Sequence, residues 1–470
     1  MRKTKIVCTI GPACDNEDTI RKMCLAGMNV ARLNFSHGTY KDHLRRLNII
    51  KKVRKELNVP LAIMLDTKGP EYRIKTFKNG KIELKKGDKF IFTTEDIEGD
   101  EKRVGVSYKG LVNDLEAGDR ILLNNGLMEF VVDKCEGNEI FCTTVIGGIL
   151  SDRKSMSFPN KVLKQVFLSE QDKADIAFGI ENDVDFIACS FVSVKQDLLD
   201  MKAYLKTLGA EGVDLIAKIE NQSGIDNIEE ICSECNGIMI GRGDMGVEIP
   251  FESLPAIQKR IITKCRLLGK RVITATEMLE SMITNSRPTR AEISDVANAV
   301  YDGTSAIMLS GETAAGKYPV LAVETMSRIA EKTEQNTHYA KRFLKSEFHI
   351  KNTVDAISHA TCGMSIDIDA KAIAVCSRTG VTARMVSRFR PPATILGITT
   401  NEKTWHKLSL SWGVMPLMCD EMPSVDVLFY KAMTLAKENL RLEKGDKIVI
   451  TGGVTNGKSG NTDLIKVETI

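Results

Sequence analysis

The sequence predicts a (β/α)8 barrel interrupted by an all-β domain and followed by an open α/β domain. Three observations carry this. Eight short apolar runs are mostly trailed by stretches of 3.6-residue periodicity. The pattern between the third and fourth runs switches to two-residue alternation with hairpin turns. Past about residue 340, strands and helices alternate again.

The barrel strands are expected at Lys5–Ile10, Met28–Leu33, Leu61–Leu65, Val184–Ala188, Val213–Ile219, Gly237–Ile240, Arg271–Ala275 and Thr304–Leu309. Their Val, Ile, Leu and Met content without alternation suits strands buried on both faces. Helical periodicity is clear over Leu254–Leu268 and Arg290–Val300. The inserted domain shows in KIELKKGDKFIF, GDRILLNNGLMEFVV and CEGNEIFCTTV, within Phe77–Val145, with Gly-Asp and Asn-Gly turns. Hung on the rim of the barrel, it is placed to act as a lid. The third unit has strands at Ala372–Cys376, Thr394–Ile398, Val414–Leu417, Lys447–Thr451 and Leu464–Val467. The expected division is barrel at 1–69 and 169–338, lid at 70–168 and the C-terminal domain at 339–470.

Bulk properties exclude several classes. At 470 residues, 43% apolar and 27% charged, the chain has material for two or three cores. A net charge of +3 without a basic tract invites neither nucleic acid nor an anionic membrane. No apolar run approaches the roughly 20 residues of a membrane span. Gly11-Pro12 and Asp15 cut short any signal-like patch at the start. The 12 cysteines, several inside apolar strands (Cys8, Cys189, Cys376), read as reduced thiols of a cytoplasmic protein. The Cys232–Cys235 pair lacks a second ligand pair, and the 6 histidines are scattered, so neither suggests a metal.

Polar residues fall at the carboxyl ends of the predicted strands: Arg32, Asn34 and Ser36; Asp66 and Thr67; Ser190; Lys218 and Glu220; Gly243 and Asp244; Thr276; Ser310. That is the catalytic end of a (β/α)8 barrel, and solvated surface charge would not respect every strand end. Lys218, Glu220 and Asp244 suggest a divalent cation held by two carboxylates beside an ammonium, which suits phosphoryl transfer. In the C-terminal unit, Ser377, Arg378, Thr379, Gly380 and Thr382 lead into a helix whose N–H groups can cradle a phosphate. A second Gly- and hydroxyl-rich loop covers Asn456–Thr462, and neither has Walker A spacing.

Longer motifs then resemble one family over nearly the whole chain. These are TKIVCTIGPA, ARLNFSHG, MLDTKGPEYR, AKIEN, GRGDMGVEIP, ATEMLESM and PTRAEISDVANAVYDGTSAIMLSGETA, in the order found in pyruvate kinases. The resemblance is to the bacterial type without an extra C-terminal domain. It implies phosphoryl transfer from phosphoenolpyruvate to ADP, Mg2+ (or Mn2+) and K+ as cofactors, a homotetramer and a phosphorylated effector. Lys218, Arg32 and Thr276 then correspond to catalytic residues. Arg32, Ser190, Gly243, Asp244 and Thr276 correspond to the substrate site, and Asn34, Ser36, His37, Arg73 and Lys154 to the nucleotide site. Glu220 and Asp244 match the Mg2+ ligands, and Asn34, Ser36, Asp66 and Thr67 the K+ ligands. Glu71 stands where K+-dependent members carry glutamate.

Ser377, Arg378, Thr379, Gly380 and Thr382 match the effector loop. The apolar Leu428, near where a bisphosphate-activated enzyme carries arginine, favours an effector with one phosphate anchor. Departures concentrate in the lid: Asn124-Asn125, Ser155, Asn160 and Gln165-Val166, with Ser193 and Glu277 in the barrel. They raise two rivals, a barrel enzyme doing carbon–carbon chemistry and a catalytically degraded paralogue that binds metabolites.

Overall fold

The computed structural model describes residues 1–470 except 160, 162, 165, 422, 423 and 454–461. Eight parallel strands close into a barrel. They are β1 (Lys5–Thr9), β2 (Val30–Asn34), β3 (Ala62–Asp66), β4 (Phe186–Cys189), β5 (Asp214–Ile219), β6 (Gly237–Gly241), β7 (Arg271–Ala275) and β8 (Ala306–Leu309). Each pairs with its neighbours in sequence, and β8 closes onto β1. Several begin or end a residue or two later than the apolar runs suggest. The second starts at Val30 because Gly27, at φ 119°, ends the preceding helix and the Met28 N–H still bonds the Met23 carbonyl. Asn34 and Asp66 are the last residues of β2 and β3 and pair in register.

The later helices are α1 (Arg242–Glu248), α2 (Leu254–Leu267), α3 (Arg290–Asp302) and α4 (Pro319–Gln335); α2 packs on β6 and β7, α4 on β1, and α3 between α2 and α4. After β6 the chain turns at once into α1, so Gly243 and Asp244 lie in a helix's first turn. The start of α3 is fixed by a capping box between Thr289 and Glu292, and its end by Gly303 at φ 95°.

The lid leaves the barrel after β3 and returns before β4. It holds a six-stranded sheet and a two-stranded one, Lys81–Leu84 with Gly148–Ser151. Phe90, Phe92 and Phe130 fill its core, with Phe92 and Phe130 edge to face at 5.3 Å. At the first hinge Gly69 takes φ 68°, and a Cβ there would meet Ser190 Cβ at 2.8 Å, so the crossing needs glycine.

After α5 (Tyr339–Lys345) the C-terminal domain builds a five-stranded sheet in the order β11-β10-β9-β12-β13. These are β9 (Ala372–Cys376), β10 (Thr394–Thr399), β11 (Val414–Met418), β12 (Lys447–Gly452) and β13 (Leu464–Thr469), the last antiparallel. Helices α6 (Val381–Arg388) and α7 (Glu402–Leu408) flank it. Its link to the barrel is extensive. Leu410, fully buried, joins the apolar cluster inside the barrel with Val7, Met64, Phe186 and Met308. Beside it Asp214 takes Arg271 at 2.6 Å and Lys407 at 3.0 Å. Among the described residues no helix is long and apolar enough to cross a membrane.

The separation of the lid core from the barrel core makes a prediction. Phe130→Ala should cost about 3–5 kcal/mol, the usual loss for a buried aromatic ring. In calorimetry the lid should melt early while the barrel transition stays in place. A uniform shift of one transition would show that the two units do not unfold separately.

Candidate active site

At the carboxyl end of the barrel the charges converge on one ammonium. Lys218 Nζ lies 3.1 Å from Asp66 Oδ1 and 3.1 Å from Glu220 Oε1, and donates to Ser190 Oγ at 2.7 Å. Asp66 is completely buried and also holds Arg32, Nε to Oδ2 at 2.6 Å. Arg32 Nη1 donates to Thr9 Oγ1 at 2.8 Å. The alternation of strand faces explains this: Lys218, near the end of β5, points inward like Arg32 on β2.

Burial by itself would lower the Lys218 pKa, but Asp66 and Glu220 outweigh it and raise it, so the ammonium stays charged. Burial likewise opposes ionisation of Asp66, and Arg32 and Lys218 reverse this and hold its carboxyl low. Glu220 goes the other way, because burial and the nearby Asp244 push it up more than Lys218 draws it down. The Phe191 N–H bonds Glu220 Oε2 at 2.8 Å, and a Cβ on Gly241 would meet Glu220 Oε1 at 2.7 Å. The glycine ending β6 therefore makes room for that carboxylate.

Across the mouth, Thr276 and Glu277 have φ of 66° and 55°. A β-branched residue in that region is strained by roughly 1–3 kcal/mol. Arg242 braces the turn: Nη2 donates to the Thr276 carbonyl at 2.5 Å, and Nη1 meets Asp295 at 2.8 Å. The Thr276 hydroxyl accepts from Gly243 N–H at 2.9 Å and donates to the Ala275 carbonyl at 2.6 Å. Thr276 and Gly243 are thus locked together.

The remaining expected residues spread over the rim. The Asn34 side chain accepts the Ser36 N–H at 3.1 Å, and Thr67 Oγ1 accepts the Ser190 N–H at 3.2 Å. Asp244 is exposed on α1. His37 is exposed, and its carbonyl lies 3.0 Å from His43 Nε2. Arg73 and Lys154 belong to the lid hinge. Arg73 bonds Glu71 and, at 2.7 Å, the Arg153 carbonyl, and the Lys154 carbonyl takes the Ile74 N–H.

Beyond Asp244, a cleft of about 650 Å3 lies between lid and barrel, lined by Glu71, Asn125, Phe158, Phe191 and Glu248 among others. Of the lid departures, Asn124 and Asn125 form a left-handed turn with φ of 54° and 57°, whereas Asn160 and Gln165 lie outside the described residues. In the barrel, the Ser193 hydroxyl accepts from the Asn221 amide at 2.8 Å.

In the C-terminal domain, Gly380 begins α6 at φ 74°. The Arg378 carbonyl accepts from Thr404 Oγ1 at 2.9 Å, and Thr382 Oγ1 lies 2.6 Å from Thr462 Oγ1. Of the second loop, only Thr462 is among the described residues. Leu428 is buried in the core of that domain.

Three contributors were not singled out by sequence reasoning: Thr9 under Arg32, Arg242 with Asp295 behind Thr276, and Glu248. Only Arg242 has a local signal, since its charge directly follows the apolar run Gly237–Gly241.

A parallel barrel presenting a buried lysine, an arginine and two adjacent carboxylates beneath a hinged lid defines a phosphoryl-transfer enzyme. Known proteins agree. The chain matches the models of the pyruvate kinase barrel domain over residues 1–323 and of the pyruvate kinase alpha/beta domain over 355–468. It is 44% identical to the pyruvate kinase of Clostridium acetobutylicum, with 100% of both chains covered. It is 45% identical to that of Staphylococcus saprophyticus, where it spans 81% of the longer relative. A crystal structure of a pyruvate kinase from Cryptosporidium parvum superposes with a TM-score of 0.94 at 36% identity, covering 100% of this chain and 96% of that one. The chain belongs to the pyruvate kinase family.

Glu248 supplies a pH prediction. Its carboxylate accepts the Phe158 N–H of the lid hinge at 3.3 Å, and burial raises it to about 7. The unfolded value is about 4.3. Between those values the folded chain binds more protons, so this group erodes stability as pH rises through the window and holds its full cost above it. Glu248→Gln should therefore match wild type in melting temperature near pH 4 and exceed it increasingly towards pH 8. A difference independent of pH would refute the assignment.

Proposed function

We infer that this chain transfers the phosphoryl group of phosphoenolpyruvate to ADP, giving pyruvate and ATP. The observation that carries the reading is the buried Lys218 ammonium, fixed by Asp66 and Glu220 beside Arg32. In-line transfer breaks the enol O–P bond and forms a bond from phosphorus to an ADP oxygen, with charge spread over the equatorial oxygens. Lys218 and Arg32 face that charge from fixed positions, so little reorganisation is needed as it develops.

The enolate left behind takes a proton at carbon. The Thr276 hydroxyl commits its own proton to the Ala275 carbonyl, so Thr276 orients a proton-carrying water rather than acting as the acid. Gly243 and Ser190 complete the carboxylate side of the substrate site. His37, Arg73 and Lys154 receive the nucleotide on lid closure, together with Asn34 and Ser36.

The donor sets suit the family's cations. Glu220 and Asp244 offer hard oxygens at adjoining strand ends, and a cation between them would offset the burial that raises Glu220. Asn34 and Asp66 pair in register, with Ser36 and Thr67 next to them, and suit K+. When bound, Mg2+ (or Mn2+) and K+ supply Lewis-acid and electrostatic stabilisation of the transferring phosphoryl.

In the same reading, residues 70–168 form the lid, 1–69 and 169–338 the barrel, and 339–470 an effector domain in a cytoplasmic homotetramer. Its effector loop is Ser377, Arg378, Thr379, Gly380 and Thr382, taking a ligand with one phosphate anchor. The match to pyruvate kinases over the whole chain leaves no observation favouring a degraded paralogue. A coupled assay with phosphoenolpyruvate, ADP, Mg2+ and K+ tests the activity; no ATP formed on demand of both substrates would end the proposal.

Two predictions follow from the charges. Lys218→Met should lower turnover by about 10²–10³-fold, the usual scale for losing one transition-state contact, and change the Michaelis constant for phosphoenolpyruvate much less. Near-normal turnover would remove Lys218 from the mechanism. Because Glu71 supplies no positive charge of its own, K+ at constant ionic strength and saturating Mg2+ should activate strongly. Full activity in tetramethylammonium salt would contradict this.

A further inference from the structure

A second concentration of positive charge lies on helices of the barrel where the C-terminal domain begins. A cavity of about 540 Å3 opens between the last turn of α2, the end of α3 and helix α5. Its walls include Lys259, Arg266, Lys341, Arg342 and Lys345, against one carboxylate, Asp302, which is paired with Lys259. Among the described residues Arg266 makes no side-chain hydrogen bond or ion pair, and its Nε is buried without a partner. Lys341, Arg342 and Lys345 have no carboxylate partner there either; Arg342 Nη1 donates only to the Tyr301 carbonyl, at 2.6 Å.

An arginine kept half-buried and unpaired is costly, and a protein interior normally gives it a carboxylate or carbonyl. Helix ends account for part of the charge. The carboxyl ends of α2, α3 and α4 each offer about half a negative charge. With Asp302 they still leave about two and a half of the five positive charges unbalanced. Arg266 and Arg342 line the same cavity, and each carries a planar fork of N–H donors of the kind that grips the oxygens of a phosphate.

We propose that this cavity is a binding site for a small phosphate monoester, held by Arg266 and Arg342 with Lys341 and Lys345 at the entrance. The site is separate from the Lys218 cluster and from the Ser377–Thr382 loop, and its walls join the barrel helices that follow Asp244 and Thr276 to the entry of the C-terminal domain.

The test is equilibrium dialysis of the full chain with radiolabelled orthophosphate at constant ionic strength, in the Thr379→Glu background to silence the C-terminal loop. The parent protein should bind one more phosphate per chain than Arg266→Met does. The exposed pair Lys341→Glu with Lys345→Glu, which cannot disturb the core, should lose the same site or weaken it at least tenfold. Arg266→Met should melt no lower than its parent in chloride, because it removes an unpaired buried charge. Equal phosphate stoichiometry and affinity in the parent and both variants would overturn the proposal.

Discussion

The mutual compensation of Lys218, Asp66, Glu220 and Arg32 is the constraint on which the rest of the active site depends. None of these charges would be tolerated alone at that depth, since burial opposes ionisation of Lys218, Asp66 and Glu220 individually. Together they are stable, but the balance is uneven. Asp66 serves two cations, while Glu220 is left high. That unevenness leaves Glu220 short of positive charge and keeps the Lys218 ammonium charged. Replacing one partner leaves another buried charge uncompensated, so these residues act as a unit.

The second constraint is conformational. The chain after β7 is held in the left-handed region at two successive residues, one of them β-branched. Arg242 and the Gly243 N–H pin that turn from α1, which also carries Asp244. One short helix therefore carries Asp244 and, through Arg242 and Gly243, fixes Thr276. At its far end, Glu248 touches the lid hinge through Phe158, giving the lid a direct mechanical link to the same helix.

Much of this was legible in the chain. Buried parallel strands must be apolar on both faces, so a charge at a strand end stands out, and Asp66, Lys218 and Glu220 were readable for that reason. The lid was legible because alternation and Asn-Gly turns differ in period from barrel strands. What escaped was second-layer support. Arg242 looks like any loop charge until α1 is seen to start at it, and Thr9 looks like a strand threonine until Arg32 is seen to lie on it. Neither the left-handed turn at Thr276 nor the burial of Glu248 against Phe158 has a local signature, because both arise from elements distant in sequence. Leu410, entering the barrel at the amino-terminal ends of its strands, is illegible for the same reason.

The claim that Asp66 acts by holding Lys218 is open to a double-mutant cycle on turnover with phosphoenolpyruvate and ADP. Asp66→Asn, Lys218→Met and the double variant would be compared with wild type. If the pair works as one unit, the double variant should be little slower than Lys218→Met alone. Losses that multiply across the two substitutions would show that Asp66 and Lys218 contribute independently, and would contradict the account.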